Sequence, residues 1–258
     1  MVTTAWRVQH GFAVRFDWAL AGLSRIVPEV SVIVIVDVLR FTTAVSVAVE
    51  RGCAVYPSPW QDGSAETWAR ERGIAVAGLR DDGSLSLSPT DLGRMDLPER
   101  LLLPSPNGSA LTVAAKEQSV PHVLAGCLRN AVATAARAIE LADGGSVAVI
   151  AAGELSRDGS MRPAIEDLLG AGAIISALDR MAPWSPEAVV AAAAFDGVRA
   201  TLSTVIGECA SARELAGHGF ADDVAIASEL DTSNVAAELR DGAYVRVRAS
   251  GRDVQPDR

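Results

Sequence analysis

The chain has 258 residues, 49% hydrophobic and 21% charged, with a mean hydropathy of +0.23. That is enough apolar material for a sizeable core and excludes overall disorder. Its 32 acidic and 23 basic side chains leave a net charge of −9 with no Lys/Arg cluster, which excludes a cationic nucleic-acid or membrane-surface binder.

Along the chain, two hydrophobic periods alternate. Residues 12–16 alternate strictly and predict a half-exposed strand. Val32–Val36 is apolar on both faces, as a central parallel strand under helices would be. A helix is predicted over 42–50, ending at Arg51-Gly52, where glycine suits the C-terminal cap. Strand 53–56, helix 61–72 and strand 74–77 follow, then strand 101–103 and helix 109–116. Strand 120–125, helix 130–141, strand 146–151 and helix 163–180 come next. Residues 185–218 read as helical and 244–248 as a last strand. This order predicts one α/β domain over 1–258, a three-layer α/β/α sandwich around a mainly parallel, mixed sheet. Alanines 191–194 are read as core packing or an oligomer contact.

Several chemistries are excluded by count. Every basic residue but Lys116 is an arginine, and GxxxxGK[ST], GxSxG, HExxH and GxGxxG do not occur. Cys53, Cys127 and Cys209 lie far apart and are odd in number, against a disulfide scaffold or a CxxC metal site. None is followed by arginine six positions on, as a cysteine-phosphatase loop requires. The apolar run Val32–Val36 is too short to span a bilayer, and the N-terminus lacks signal-peptide order. The expectation is a soluble cytoplasmic protein.

In such sheets, ligands gather beyond the carboxyl ends of strands, where helix N-termini offer free N–H groups. Three strand-to-helix junctions are rich in small and polar residues: Asp37 to Thr43, Pro104 to Ser109, and Gly126 to Asn130. An unpaired buried carboxylate is costly, so Asp37 at the end of a buried strand is read either as a site residue or as a partner of Arg40. Asn107-Gly108 reads equally as a turn, with Ser109 capping a helix, and Asn130 as an N-cap. A fourth segment, Ala151 to Gly159, leads to Glu166-Asp167 near a helix start. Acids suit that end of a helix; a carboxylate pair beside other strand ends also suits Mg²⁺, which takes oxygen ligands and keeps several waters. Four such junctions in order, expected along one sheet edge, point to an anion-plus-metal site.

Asp37-Val38-Leu39-Arg40-x-Thr42-Thr43, Asn107-Gly108-Ser109-x-Leu111, Gly126-Cys127-Leu128-Arg129-Asn130-Ala131 and Glu166-Asp167-x-x-x-Ala171-Gly172-Ala173 form an ordered series over nearly the whole chain. The series resembles that of the 2-phosphosulfolactate phosphatase family. The resemblance implies an α/β/α fold and Mg²⁺-dependent hydrolysis of the phosphate ester of a small sulfonated or carboxylated acid, a reaction that serves coenzyme M synthesis in methanogens. The residues of these junctions expected to contact substrate are Arg40, Thr42, Thr43, Asn107, Gly108, Ser109, Arg129 and Asn130. The chain departs from the family at Leu87-Ser88-Pro89 and Gly78-Leu79-Arg80, in a loop that could shape the pocket.

Phosphoryl transfer needs positioning, charge neutralisation and an in-line nucleophile. Asp37 would bind Mg²⁺ or attack phosphorus, and Glu166 and Asp167 would be further metal-binding or water-orienting carboxylates. Arg40 and Arg129 would clamp the anionic ends of a small phosphorylated substrate through the planar guanidinium fork. A haloacid-dehalogenase phosphatase would carry a second aspartate at position 39, which is leucine. The other reading is a protein that holds a small anion on the same fold without turning it over.

Overall fold

The structure, a computed structural model, describes residues 6–59, 63–78, 85–156 and 158–248. Nine strands form one sheet in the order β1-β7-β2-β6-β10-β11-β3-β5-β4. Strands β1 (Val14–Trp18), β7 (Val147–Ala151), β2 (Val32–Val36) and β6 (His122–Gly126) make one parallel block. A second parallel block contains β3 (Ala54–Ser58), β5 (Arg100–Pro104) and β4 (Ala75–Val76). Between them lies the antiparallel hairpin of β10 (Val235–Arg240) and β11 (Ala243–Arg248), which pairs antiparallel with β6 on one side and β3 on the other. The expected mixed, mainly parallel sheet is present. The two blocks, however, run in opposite senses, so the four polar junctions do not share one simple edge.

β2 shows why the fold has three layers. Val32, Val34 and Val36 join one buried cluster, while Ile33 and Ile35 join another on the opposite face. Helices α6 (Ala131–Ala142), α7 (Ile165–Ser176) and α8 (Pro186–Val198) supply the first cluster. The second is closed by α1 (Ala19–Ile26), α2 (Phe41–Glu50) and α5 (Gly108–Glu117). α3 (Gly63–Glu71) flanks β4, and α4 (Pro89–Arg94) packs on α2.

Local chemistry sets the element ends. α2 stops at Arg51-Gly52, with Gly52 at φ +91°, as expected for a glycine cap. α4 and α8 each start with a serine cap followed by proline: Ser88 Oγ accepts the Asp91 N–H and Ser185 Oγ the Ala188 N–H. α7 and α8 approach closely at Gly172, where a Cβ would meet the Ala191 carbonyl. Ala191 and Ala192 are thus core packing.

The region expected to be helical over 185–218 divides into α8, a 3₁₀ turn, α9 (Leu202–Glu208) and α10 (Ala210–Gly217), followed by α11 (Ala221–Ala227). Pro186–Glu208 is long and apolar enough by composition to cross a bilayer. The 3₁₀ turn Arg199–Thr201 interrupts it, and Ala188, Ala191, Ala192 and Phe195 are buried on the protein. A small hairpin, β8 (Glu154–Leu155) and β9 (Met161–Arg162), extends beyond β7.

Candidate active site

The end of β2 is the hub. Asp37 is buried, and its Oδ2 accepts the Gly108 N–H at 2.8 Å, from the start of α5. The longer bond from Phe41 N–H reaches Oδ1 at 3.4 Å. A Cβ at Gly108 would lie 2.8 Å from Asp37 Oδ2 and overlap the Phe41 ring, so only glycine lets the α5 N-terminus come this close. Although β5 belongs to the opposite-sense block, its loop therefore reaches Asp37.

Asp167, at the start of α7, ties two further strand ends together. Its Oδ1 accepts the Val38 N–H at 2.7 Å and its Oδ2 the Gly153 N–H at 2.9 Å. Glu166 is also buried, and its Oε2 accepts the Cys209 thiol at 3.2 Å. Glu154 joins this group from the hairpin beyond β7; its Oε2 accepts the Asn107 amide at 3.3 Å.

The acids burden one another. Burial pushes the Asp37 carboxyl up to about 6; the Gly108 and Phe41 N–H bonds oppose this, and the negative charges of Glu154 and Glu166 add to it. Burial, then the charges of Asp37 and Glu166, hold Asp167 well above the usual carboxylate range. Glu154 is raised chiefly by burial, against the Asn107 bond and the positive charge of Arg162. Burial also pushes the Cys209 thiol up to about 12, so it stays protonated and donates to Glu166. Among the described residues, no lysine or arginine forms an ion pair with Asp37, Glu166 or Asp167.

The neutral residues expected to meet substrate mostly serve the backbone. Thr42 Oγ1 donates to the Asp37 carbonyl and accepts the Asp37 N–H, and Thr43 Oγ1 donates to the Val38 carbonyl. Ser109 Oγ donates to Leu103 O. Asn130 Oδ1 accepts the Cys127 N–H, while its amide donates to the Ala125 and Val235 carbonyls. Of the neutral side chains expected at the substrate, Asn107 is the one that, among the described residues, bonds to a carboxylate of the cluster.

The two arginines differ. Arg40 does not pair with Asp37: its Nη1 bonds to Asp223 at 2.9 Å, and its guanidinium lies over the Phe220 ring at 4.4 Å. Asp223 also accepts from Ser88 Oγ at 2.5 Å and from the Thr90 N–H at 3.2 Å. Burial alone would raise Asp223, but these bonds hold it below the usual range. Within the departure at Leu87-Ser88-Pro89, Ser88 orients the Arg40 partner; Leu79 and Arg80 of the other departure lie outside the described residues. Arg129 ties Glu50 at 3.1 Å through Nη2 and Glu229 through Nη1, linking the β6 loop to the end of α2 and the segment after α11. Sequence reasoning missed Glu154, Arg162 and Asp223. Glu154 carried a signal, since it directly follows Gly153 at a strand end. The Arg40–Asp223 pair, 183 positions apart, carried none.

A cavity of about 290 Å³ opens beside Asn107, walled by Leu20, Pro106, Ala152, Leu155 and Met161. Among the described residues, no three His, Cys, Asp or Glu side chains already converge on one point. Mg²⁺ does not require that: it is commonly held by one or two carboxylates, with waters and substrate phosphate completing its shell. Hard oxygen donors that repel one another and lack a cationic partner fit such an ion.

Comparison with known proteins gives the same direction. The family model described as 2-phosphosulpholactate phosphatase matches residues 23–242. A curated 2-phosphosulfolactate phosphatase from Methanothermobacter thermautotrophicus (strain Delta H) is 33% identical over 215 residues, covering 81% of this chain and 87% of that protein. With the ordered motifs gathered at the end of β2 and the match spanning most of both chains, the protein belongs to the 2-phosphosulpholactate phosphatase family.

Proposed function

We propose that the protein hydrolyses 2-phosphosulfolactate to sulfolactate and inorganic phosphate, with Mg²⁺ as cofactor. The observation that carries this reading is the convergence on Asp37 of motif segments 71 and 129 positions apart, through the Gly108 N–H and through Asp167 bonded to Val38. A family match supports the reaction class, and the relative's name supports the substrate.

In the proposed reaction, water attacks phosphorus, the ester P–O bond breaks, and the leaving oxygen takes a proton to become the hydroxyl of sulfolactate. Asp37, whose Oδ1 accepts only the long 3.4 Å bond from Phe41, and Glu166, whose bond from Cys209 falls on Oε2, are the residues that would hold Mg²⁺; both oxygens of Asp167 accept shorter backbone N–H bonds, at 2.7 and 2.9 Å. The ion, when bound, neutralises charge on the phosphoryl oxygens. Asp167 fixes the Val38 and Gly153 backbones and so keeps the β2 and β7 loops in register. The Cys209 thiol orients Glu166. Arg40, steadied by Asp223 and Phe220, offers its remaining donors to the phosphate; Arg129, with both Nη groups on glutamates, braces the fold instead. The test is phosphate release across a panel of small phosphomonoesters. Preference for 2-phosphosulfolactate supports the reading, and no turnover of any ester overturns it.

A further inference from the structure

Any small acid phosphate carries a second anionic end, and Arg40 serves only the phosphate. We propose that Arg162, on the β8–β9 hairpin, binds the sulfonate or carboxylate end of the substrate remote from phosphorus. This rests on the proposed phosphatase reading and adds a specificity residue to it.

Three observations place Arg162 there. In the hairpin register Glu154 stands opposite Arg162, and Leu155 opposite Met161. Side chains alternate across a strand, so Glu154 and Arg162 share one face while Leu155 and Met161 share the other, which walls the cavity beside Asn107. The Glu154 face is the one turned to the carboxylates: Glu154 bonds to Asn107, next to Gly108, and its charge acts on Asp37. Arg162 is close enough to Glu154 to oppose the rise in its pKa, yet forms no ion pair among the described residues. Its guanidinium is instead aimed by a neutral group, Ser211 Oγ on α10, which accepts from Nη2 at 2.9 Å.

That is a useful state for an anion receptor. Other arginines are spent on carboxylates: Arg40 on Asp223, Arg129 on Glu50 and Glu229, and Arg137 on Glu140 and Glu238. A bond to a hydroxyl orients the fork without neutralising it, and a guanidinium with free donors matches carboxylate or sulfonate geometry. Arg162 also sets positive charge beside Glu154, on which Glu214 and Glu166 act as negative charges.

The test compares wild type, Arg162→Gln, Arg162→Lys and Ser211→Ala. With 2-phosphosulfolactate, Arg162→Gln is expected to raise KM by about tenfold or more, the size of a lost charge-assisted contact, with kcat far less changed. With ethyl phosphate, which has no second anionic end, wild type and variant should have the same KM. Ser211→Ala should have a smaller effect than Arg162→Gln, and Arg162→Lys should recover part of the loss. An unchanged KM for 2-phosphosulfolactate in Arg162→Gln overturns the assignment while the function stands. An equal loss on both esters, matched by Ser211→Ala, overturns it in favour of a structural tether. If wild type releases no phosphate, the function falls; calorimetry with sulfolactate then decides, since equal binding by wild type and Arg162→Gln overturns the role of Arg162 and weaker binding by the variant supports it.

Discussion

Gly108 donates its backbone N–H to Asp37 Oδ2 at 2.8 Å, joining the start of α5 to the end of β2. The bond requires a residue without Cβ, because the Phe41 ring and the carboxylate itself fill the space a Cβ would occupy. The relationship gives the first expectation. Gly108→Ala should push the α5 loop off Asp37 and cost about 1–3 kcal/mol in stability, with phosphatase activity falling at least tenfold. Denaturant unfolding and phosphate release, measured on the same preparation, check both. Wild-type activity in Gly108→Ala would show that the loop's approach to Asp37 does not matter.

Asp37 itself should trade stability for function. Its folded pKa, about 6, lies above the ordinary 3.8, so the folded state binds this proton more tightly than the unfolded chain. The stability it contributes is complete below about pH 4 and is lost as pH rises through about 6. Asp37→Asn removes that loss. In chelator, its stability relative to wild type should rise across this window by roughly 2–4 kcal/mol, from a shift of about two units, while turnover is abolished. Unfolding curves at pH 4.5 and pH 8 read the change directly. A difference that stays flat between those pH values would contradict the buried, repelled carboxylate.

The two arginines read alike in sequence but should separate experimentally. Arg129→Lys cannot span Glu50 and Glu229 as a fork does, and should cost about 1–2 kcal/mol, the partly exposed glutamates limiting the loss. Its KM should stay at the wild-type value. Arg40→Lys keeps the charge but loses the fork beside Asp223, and should raise KM several-fold. A raised KM in Arg129→Lys with unchanged stability would return Arg129 to the substrate.

Much of the fold was legible where local pattern decides. Val32–Val36 is a strand at the expected boundaries because five β-branched residues lie under helices on both faces. α2 and α5 begin within one residue of expectation because polar junctions precede their apolar runs. The central β10 went unread because Val-Ala-Ala-Glu-Leu-Arg carries little β-branched content. Its hairpin did have a signal in Asp241-Gly242, both at positive φ, as a tight two-residue turn prefers. At the site, the motifs were legible as polar strand-to-helix junctions expected along one sheet edge, whereas the two parallel blocks run in opposite senses and the junctions meet through Gly108 and Asp167 instead. The motifs could not reveal that the Thr42, Thr43, Ser109 and Asn130 side chains bond to backbone groups, or that Asp223 engages Arg40, since those choices are made by contacts distant in sequence.

Mg²⁺-dependent hydrolysis at Asp37 and Glu166 is tested by phosphate release from 2-phosphosulfolactate by chelator-treated protein during titration with Mg²⁺. The expected result is negligible release without the ion, saturable recovery as Mg²⁺ is added, and no recovery in Asp37→Asn or Glu166→Gln. Full turnover in chelator, or Mg²⁺-restored turnover in Asp37→Asn, would contradict it.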